Sequence, residues 1–275
     1  MPPLGNNEQV ADEEPDRTAE LEHLISLGKN VIAFITNSVD MLNRTYFAIN
    51  LANNAKALAW GTSKAISAIS DAPQEFLDLL QTLKSYSDEM AQQLEERAGW
   101  LELPSDGLPL LHATQLIGVW GALESFVGDV FKASIKYRRD LLEGKAFEKI
   151  SLPVGLIAKR ADDLYSTIYQ RVLPPGSGQI GKLEDVLNMV GLGGPIDPDL
   201  RRNLLSAHQI RNVWAHNVGL VDAHFVEQCP YLGYEIGDVV ELSADRFGEL
   251  NQAILDYVTV ILGRIHDRGF DQQGA

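Results

Sequence analysis

The run GVWGALESFVGDVF, Gly118 to Phe131, decides the fold class. Its apolar residues Val119, Trp120, Leu123, Phe126, Val127, Val130 and Phe131 recur at spacings of three and four. That is the period at which side chains share a helix face, so the spacing predicts a long helix from about Leu110 to Glu143. One acid, Glu124, sits inside the apolar pattern. It is either on a solvent face or held there by a cation.

The same period continues outward on both sides. Upstream, Leu21, Leu24, Ile25, Val31, Ile32 and Ile35 suit a first helix with Gly28 as a weak point. The Ala-rich stretch from residue 45 to 69 reads as a second helix. Pro73 suits the first turn of a third, running to about Arg97. That third helix carries Phe76, Leu79, Leu80, Leu83, Tyr86, Met90 and Leu94, a partner-facing stripe of coiled-coil type. Downstream, helices are predicted over about 154–172, 182–190, 199–217 and, capped by Ser243, to about Asp267. Asp197-Pro198 supplies an N-cap and a first-turn proline for the third of these. YEIGDVVELS, Tyr234 to Ser243, alternates around Gly-Asp and reads as a short hairpin or extended segment. The expectation is an all-α chain with one β-hairpin-like segment. Residues 1–18 read as a disordered acidic tail, 19–105 as an N-terminal helical region and 106–268 as a second helical domain. LELPSDGLP, Leu101 to Pro109, marks the boundary.

Composition narrows the function classes. The 275 residues are 45% hydrophobic and carry a formal net charge of -15, which argues against wholesale wrapping of nucleic acid but leaves room for a local basic cleft. A single cysteine, Cys229, allows no internal disulfide. No signal peptide or membrane-spanning run is expected, so a cytoplasmic protein without a membrane partner is the default reading. Two lysines, Lys56 and Lys64, interrupt the nearly chargeless stretch from residue 45 to 69, and a helix bundle explains it better than a membrane surface does.

The chemistry concentrates in LLSAHQIRNVWAHNVGLVDAHF, Leu204 to Phe225. Asn212 and His216 lie four apart and share a helix face. Arg211 lies five before His216, about 140° round the helix, and needs its long stem to reach the same side. An arginine beside a histidine is costly to bury. It suits attack on RNA. The imidazole exchanges protons near neutral pH, the guanidinium holds a phosphate, and the ribose 2'-hydroxyl is the nucleophile, so neither a metal nor a cofactor is required.

RNVWAHN resembles the arginine-to-histidine signature of the HEPN superfamily, with Asn212 as the polar residue after the arginine. VGLVDAHF and GVWGALESFVGDVF are similar to the segments that follow and precede that motif, the latter placing a glutamate at Glu124. The resemblance covers about residues 108 to 266. It implies a HEPN-like helical bundle with extra N-terminal helices. It also implies a metal-independent endoribonuclease acting as a homodimer, with two copies of the motif forming a composite cleft. Such proteins are often toxins or phage-defence effectors with an inhibitory, antitoxin-like partner. The implied catalytic set is Arg211, His216, Asn212 and Glu124, and the products would carry 2',3'-cyclic phosphates.

Other readings stand beside this one. Arg211 can be a surface arginine paired with a carboxylate such as Asp222. His216 can be a C-terminal histidine favoured by the helix dipole. His208, one turn before Asn212, either flanks the cleft or is a satisfied, half-buried residue. His208, His216 and His224 are evenly spaced, but no compact cysteine or carboxylate set accompanies them, so no metal site is expected. Arg138 and Arg139 in KYRRD, and Arg202 in LRR, either line an RNA groove or form solvated faces. Trp214 reads as core or interface packing. The alternative function is a non-catalytic helical module that binds RNA, a nucleotide or a protein.

Overall fold

The computed structural model describes residues 17–53, 64, 73–96, 109–148, 150, 161–172 and 180–271. Its regular elements are helices: α1 (Arg17–Asn53), α2 (Gln74–Glu96), α3 (Pro109–Tyr137), α4 (Ala161–Val172), α5 (Ile180–Met189), α6 (Pro198–Asn217), α7 (Ala223–Gln228) and α8 (Ala244–Asp271). Two 3-10 turns lie at Arg139–Glu143 and Pro230–Leu232. The chain is all-α among the described residues, and no helix there is long and apolar enough to cross a membrane.

The axis of the bundle is α3, which packs against α1, α4, α5, α6 and α8. Leu116, Val119, Trp120, Leu123, Val127 and Phe131 are sealed from water along it. A helix apolar around most of its circumference can satisfy that surface only at the centre of other helices. Each such side chain withdrawn from water contributes about 1.5–3 kcal/mol before the entropy of ordering is subtracted. Small residues set how close the neighbours come. At Gly128 a β-carbon would meet the Tyr169 ring of α4 at 3.0 Å. At Gly28 it would meet Leu262 of α8, whose Cγ lies 2.9 Å from that position. Gly28 is therefore a contact point between α1 and α8, not a break, and α1 runs through it without interruption.

Capping follows the local chemistry. Asp197 Oδ1 accepts from the Asp199 and Leu200 amides at 2.9 and 3.0 Å, and Pro198 occupies the first turn of α6. Ser243 Oγ accepts from the Arg246 amide at 3.2 Å and opens α8. Pro73 accepts from the Phe76 and Leu77 amides and opens α2.

Two expectations are corrected. The helix through Gly118 ends at Tyr137, not Glu143, and continues as a 3-10 turn. The change of direction folds the chain back so that Leu141, Leu142 and Phe147 pack on the core. The second correction is the hairpin. Among the described residues there is no strand, only an isolated antiparallel bridge between Leu220 and Val239. Gly237, at φ 94°, and Asp238 close a tight turn on Glu235, whose amide donates to Asp238 Oδ2 at 2.8 Å. The arm beyond that turn pairs with the chain leaving α6. Val221 N donates to Asp238 O at 2.9 Å, and Val240 N donates to Gly219 O at 2.9 Å. Val240 and Leu242 are buried, so the alternation reflected a buried face, but the partner was another segment and the pairing is too short to form a ladder.

The expected tail (residues 1–18) lies outside the described residues except for Arg17 and Thr18. So do most of the second Ala-rich helix and of the boundary at Leu101 to Pro109.

Candidate functional site

The C-terminal half of α6 lies against the middle of α3, and five side chains there close a ring. Trp120 Nε1 donates to Glu124 Oε1 at 3.0 Å, one turn along α3. Arg211 Nη2 crosses from α6 and donates to Glu124 Oε2 at 3.0 Å. Arg211 Nη1 donates to Asn212 Oδ1 at 2.6 Å. Asn212 Nδ2 turns back along α6 to the His208 ring, 3.2 Å from Nε2. The His208 ring returns to Trp120, with ring centroids 5.2 Å apart. The ring thus runs Trp120, Glu124, Arg211, Asn212, His208 and back to Trp120. The partner of Arg211 is Glu124, 87 residues upstream, and not Asp222. Asp222 instead caps α7 through the Phe225 amide and accepts from Asn217.

The electrostatics of the ring are internally consistent. Burial pushes the His208 imidazole down to about 4, and the positive charge of Arg211, then His224, adds to the effect. A neutral His208 keeps an acceptor nitrogen for Asn212, which a protonated ring would lose. With the Asn212 oxygen turned to the guanidinium, its NH2 group can only donate to the histidine. The Arg211 and Glu124 side chains are 19% and 28% exposed, so their pairing is worth more than a surface bridge and less than a sealed one. Arg211 Nε is buried without a hydrogen-bond partner. The two Nη nitrogens each spend one N–H in the ring, leaving a second on each.

Tyr169 of α4 stands beside the ring. Its hydroxyl reaches the Glu124 carbonyl at 3.5 Å, and burial, then the charges of Glu124 and Asp129, raise its pKa to about 12, so it stays protonated. Sequence reasoning missed both Trp120 and Tyr169 as members of the site. The first was discoverable, since Trp120 and Glu124 are four apart on one helix. The second lies on another helix with no spacing to reveal it.

His216 occupies the last turn of α6 and is exposed. It is two turns from His208 and one from Asn212 on the same helical face. No hydrogen bond joins it to Arg211 among the described residues. The helix stops immediately beyond it. Val218 takes a left-handed conformation at φ 54° and ψ 37°, and Gly219 follows at φ 85° with its amide on Val213 O at 3.1 Å. That is the geometry of a helix end usually built on glycine. Trp214 clamps this exit. Its Nε1 donates to Val240 O at 3.1 Å, and a β-carbon on Gly219 would meet its ring at 3.0 Å.

The remaining candidates are not gathered here. Arg138 and Arg139 lie beyond the far end of α3, about 20 Å along the helix axis from Glu124. Arg138 pairs with Asp140 at 3.0 Å. Arg202 lies about 13 Å before Arg211 along α6 and pairs with Asp199. No group of three or more histidine, cysteine or acidic side chains is placed to hold a metal ion among the described residues. His208 is buried while His224 is exposed.

The chain has no significant match among protein-family models, curated proteins or solved structures.

Proposed function

We propose that the chain is a metal-independent endoribonuclease that works as a homodimer, with Arg211, Asn212 and His216 acting on the scissile linkage and Glu124 positioning Arg211. The observation that carries this reading is the ring of contacts, which holds a half-buried guanidinium at the edge of a helix pair, with the exposed His216 one turn beyond Asn212 on the same helix. A guanidinium fixed by a carboxylate is pre-oriented, and its two spare Nη protons suit two phosphate oxygens. The imidazole of His216 is free to take the proton of a ribose 2'-hydroxyl or to deliver one to the leaving 5'-oxygen. The nucleophile is the RNA's own hydroxyl, and the product is a 2',3'-cyclic phosphate.

The homodimer is part of the same proposal, and helix geometry is compatible with it. Within one α6, Arg211 and His216 are about 140° apart, too far round to grip one phosphate without a large swing of the arginine. A second copy facing the first supplies the histidine of one chain to the arginine of the other. Action as a toxin or defence effector, held in check by an inhibitory partner, fits such an activity.

A second reading is a helical binding module that does not cut RNA. It is favoured by the engagement of Arg211 with Glu124 and by a net charge of -15, which repels RNA at long range. The experiment is cleavage of labelled single-stranded RNA in EDTA by the wild-type protein, His216→Ala and Arg211→Ala. Product ends are read for the cyclic phosphate. The nuclease reading expects wild-type cleavage and a loss of at least about 100-fold in either variant. Cleavage unchanged by both substitutions, or none by the wild-type protein, overturns it. RNA binding without turnover supports the module.

A further inference from the structure

The guanidinium of Arg211 is held at two points. Its Nε is buried without a hydrogen-bond partner, so its plane is set by Nη1 on Asn212 Oδ1 at 2.6 Å and Nη2 on Glu124 Oε2 at 3.0 Å. Two anchors fix the direction of a planar fork, and one leaves it free to turn. Glu124 is braced in turn, because Trp120 Nε1 donates to its other oxygen at 3.0 Å. Asn212 needs a brace of its own. Its side chain is half-buried, and an amide bonded at one end is open to competition from water at the other. The His208 ring closes that end, with Nε2 3.2 Å from the Asn212 NH2 group.

His208 is placed to act through Asn212 and not on a substrate. It is 3% exposed, and eight residues of helix put it about 12 Å before His216 along α6. Its ring packs against the fully buried Trp120, with centroids 5.2 Å apart. Both anchors of Arg211 therefore lead back to one indole, through Glu124 on one side and through Asn212 and His208 on the other. Burial, with the charges of Arg211 and His224 adding to it, keeps the imidazole neutral, and a neutral ring retains the lone pair that the Asn212 amide needs.

We infer that His208 is a positioning residue: by accepting from the Asn212 amide it fixes the direction of Arg211 Nη1, and so aims the guanidinium at the scissile phosphate. That the target is a phosphate rests on the nuclease reading, whereas the hold on the guanidinium rests on the ring alone.

The test compares His208→Leu, close in volume but without an acceptor, with His208→Gln, whose side-chain oxygen accepts in its place. In RNA cleavage by the full-length chain, His208→Leu is expected to lower kcat at least about ten-fold with KM changed by less than about two-fold, because the lost group orients a transition-state contact. His208→Gln should return to within about three-fold of the wild-type protein. In an Asn212→Ala background His208→Leu should cause no further loss, since the imidazole acts only through that amide. A second readout needs no RNA. In nitrogen-15 NMR spectra the Nη1 protons of Arg211, identified by their loss in Arg211→Lys, should be separate in the wild-type protein because the anchored group does not rotate freely. They should merge in His208→Leu and separate again in His208→Gln. Thermal melts establish that the variants fold, and His208→Phe, which keeps a ring against Trp120, replaces His208→Leu if that variant does not. An unchanged kcat in His208→Leu, a His208→Gln variant as impaired as His208→Leu, or an equal loss with and without Asn212 overturns the inference. A wild-type protein that cuts no RNA overturns the nuclease reading instead. The Nη1 resonances then decide for His208, and identical spectra in the wild-type protein and His208→Leu overturn its positioning role.

Discussion

At the residue scale, His208 shows how a buried neutral imidazole ties folding to pH. Its ionisation lies near 4 in the folded chain because burial, with Arg211 and His224 nearby, disfavours the cation. In the unfolded chain it returns to about 6.5. Between those values the unfolded chain holds a proton that the native chain does not, so stability is fully present above about pH 6.5 and falls as pH drops towards 4. The loss from this residue alone is about 2–3 kcal/mol at pH 4.5. Urea denaturation at pH 7 and pH 4.5 measures it. His208→Gln, neutral throughout, should lose less stability over the same interval by about that amount. An identical pH dependence in both proteins would mean that His208 is not the neutral acceptor of Asn212. Only part of this was legible in the sequence. The spacing of His208, Asn212 and His216 placed them on one face. It offered Arg211 several possible carboxylates, and only the packing of α6 on α3 chose Glu124, because sequence carries no distance between helices.

At the element scale, the exit of α6 is strained where the sequence has no glycine to relieve it. Val218 is β-branched, 77% exposed and left-handed, a conformation that costs an ordinary side chain about 1–2 kcal/mol. Almost no burial is lost by replacing it. Val218→Asn should therefore stabilise the fold by about 0.5–1 kcal/mol, and Val218→Gly by a similar or smaller amount because glycine gains entropy when unfolded. Thermal melts should show a rise of about 1–3 °C for Val218→Asn, and a fall would place the strain elsewhere. The ends that could be read in advance were those with a side-chain signal: Asp197 with Pro198, Pro73, and Ser243. The turn at Gly219 was visible, but its left-handed valine was not, since nothing in Asn-Val-Gly marks which residue takes the strain. The hairpin reading failed for a related reason. Alternation at Val240 and Leu242 reports a buried face, whereas strand pairing depends on which distant segment lies alongside.

At the scale of the whole molecule, the bundle is closed by an ion pair that joins its two ends in sequence. Arg268 near the end of α8 donates to Glu20 in the first turn of α1, and its Nη1 also donates to Val190 O beyond α5 at 2.9 Å. Both partners are withdrawn from water, with side-chain exposures of 14% and 7%. Burial raises the Glu20 pKa and lowers that of Arg268, each outweighing the attraction of the other charge. The two shifts agree that desolvation dominates. Desolvation therefore offsets much of what the pair contributes to stability. Removing one partner leaves a buried charge alone, so Glu20→Met should cost about 3 kcal/mol. The double substitution Glu20→Met/Arg268→Met should recover most of that loss and come within about 1 kcal/mol of the wild-type protein. Urea denaturation of the two single variants and the double variant measures the coupling. A double variant as unstable as the sum of the singles would show that the pair contributes no interaction of its own. One more stable than the wild-type protein would show that α1 is held by its apolar face at Leu24, Val31 and Ile35 alone, with the ions setting only the register of α1 against α8.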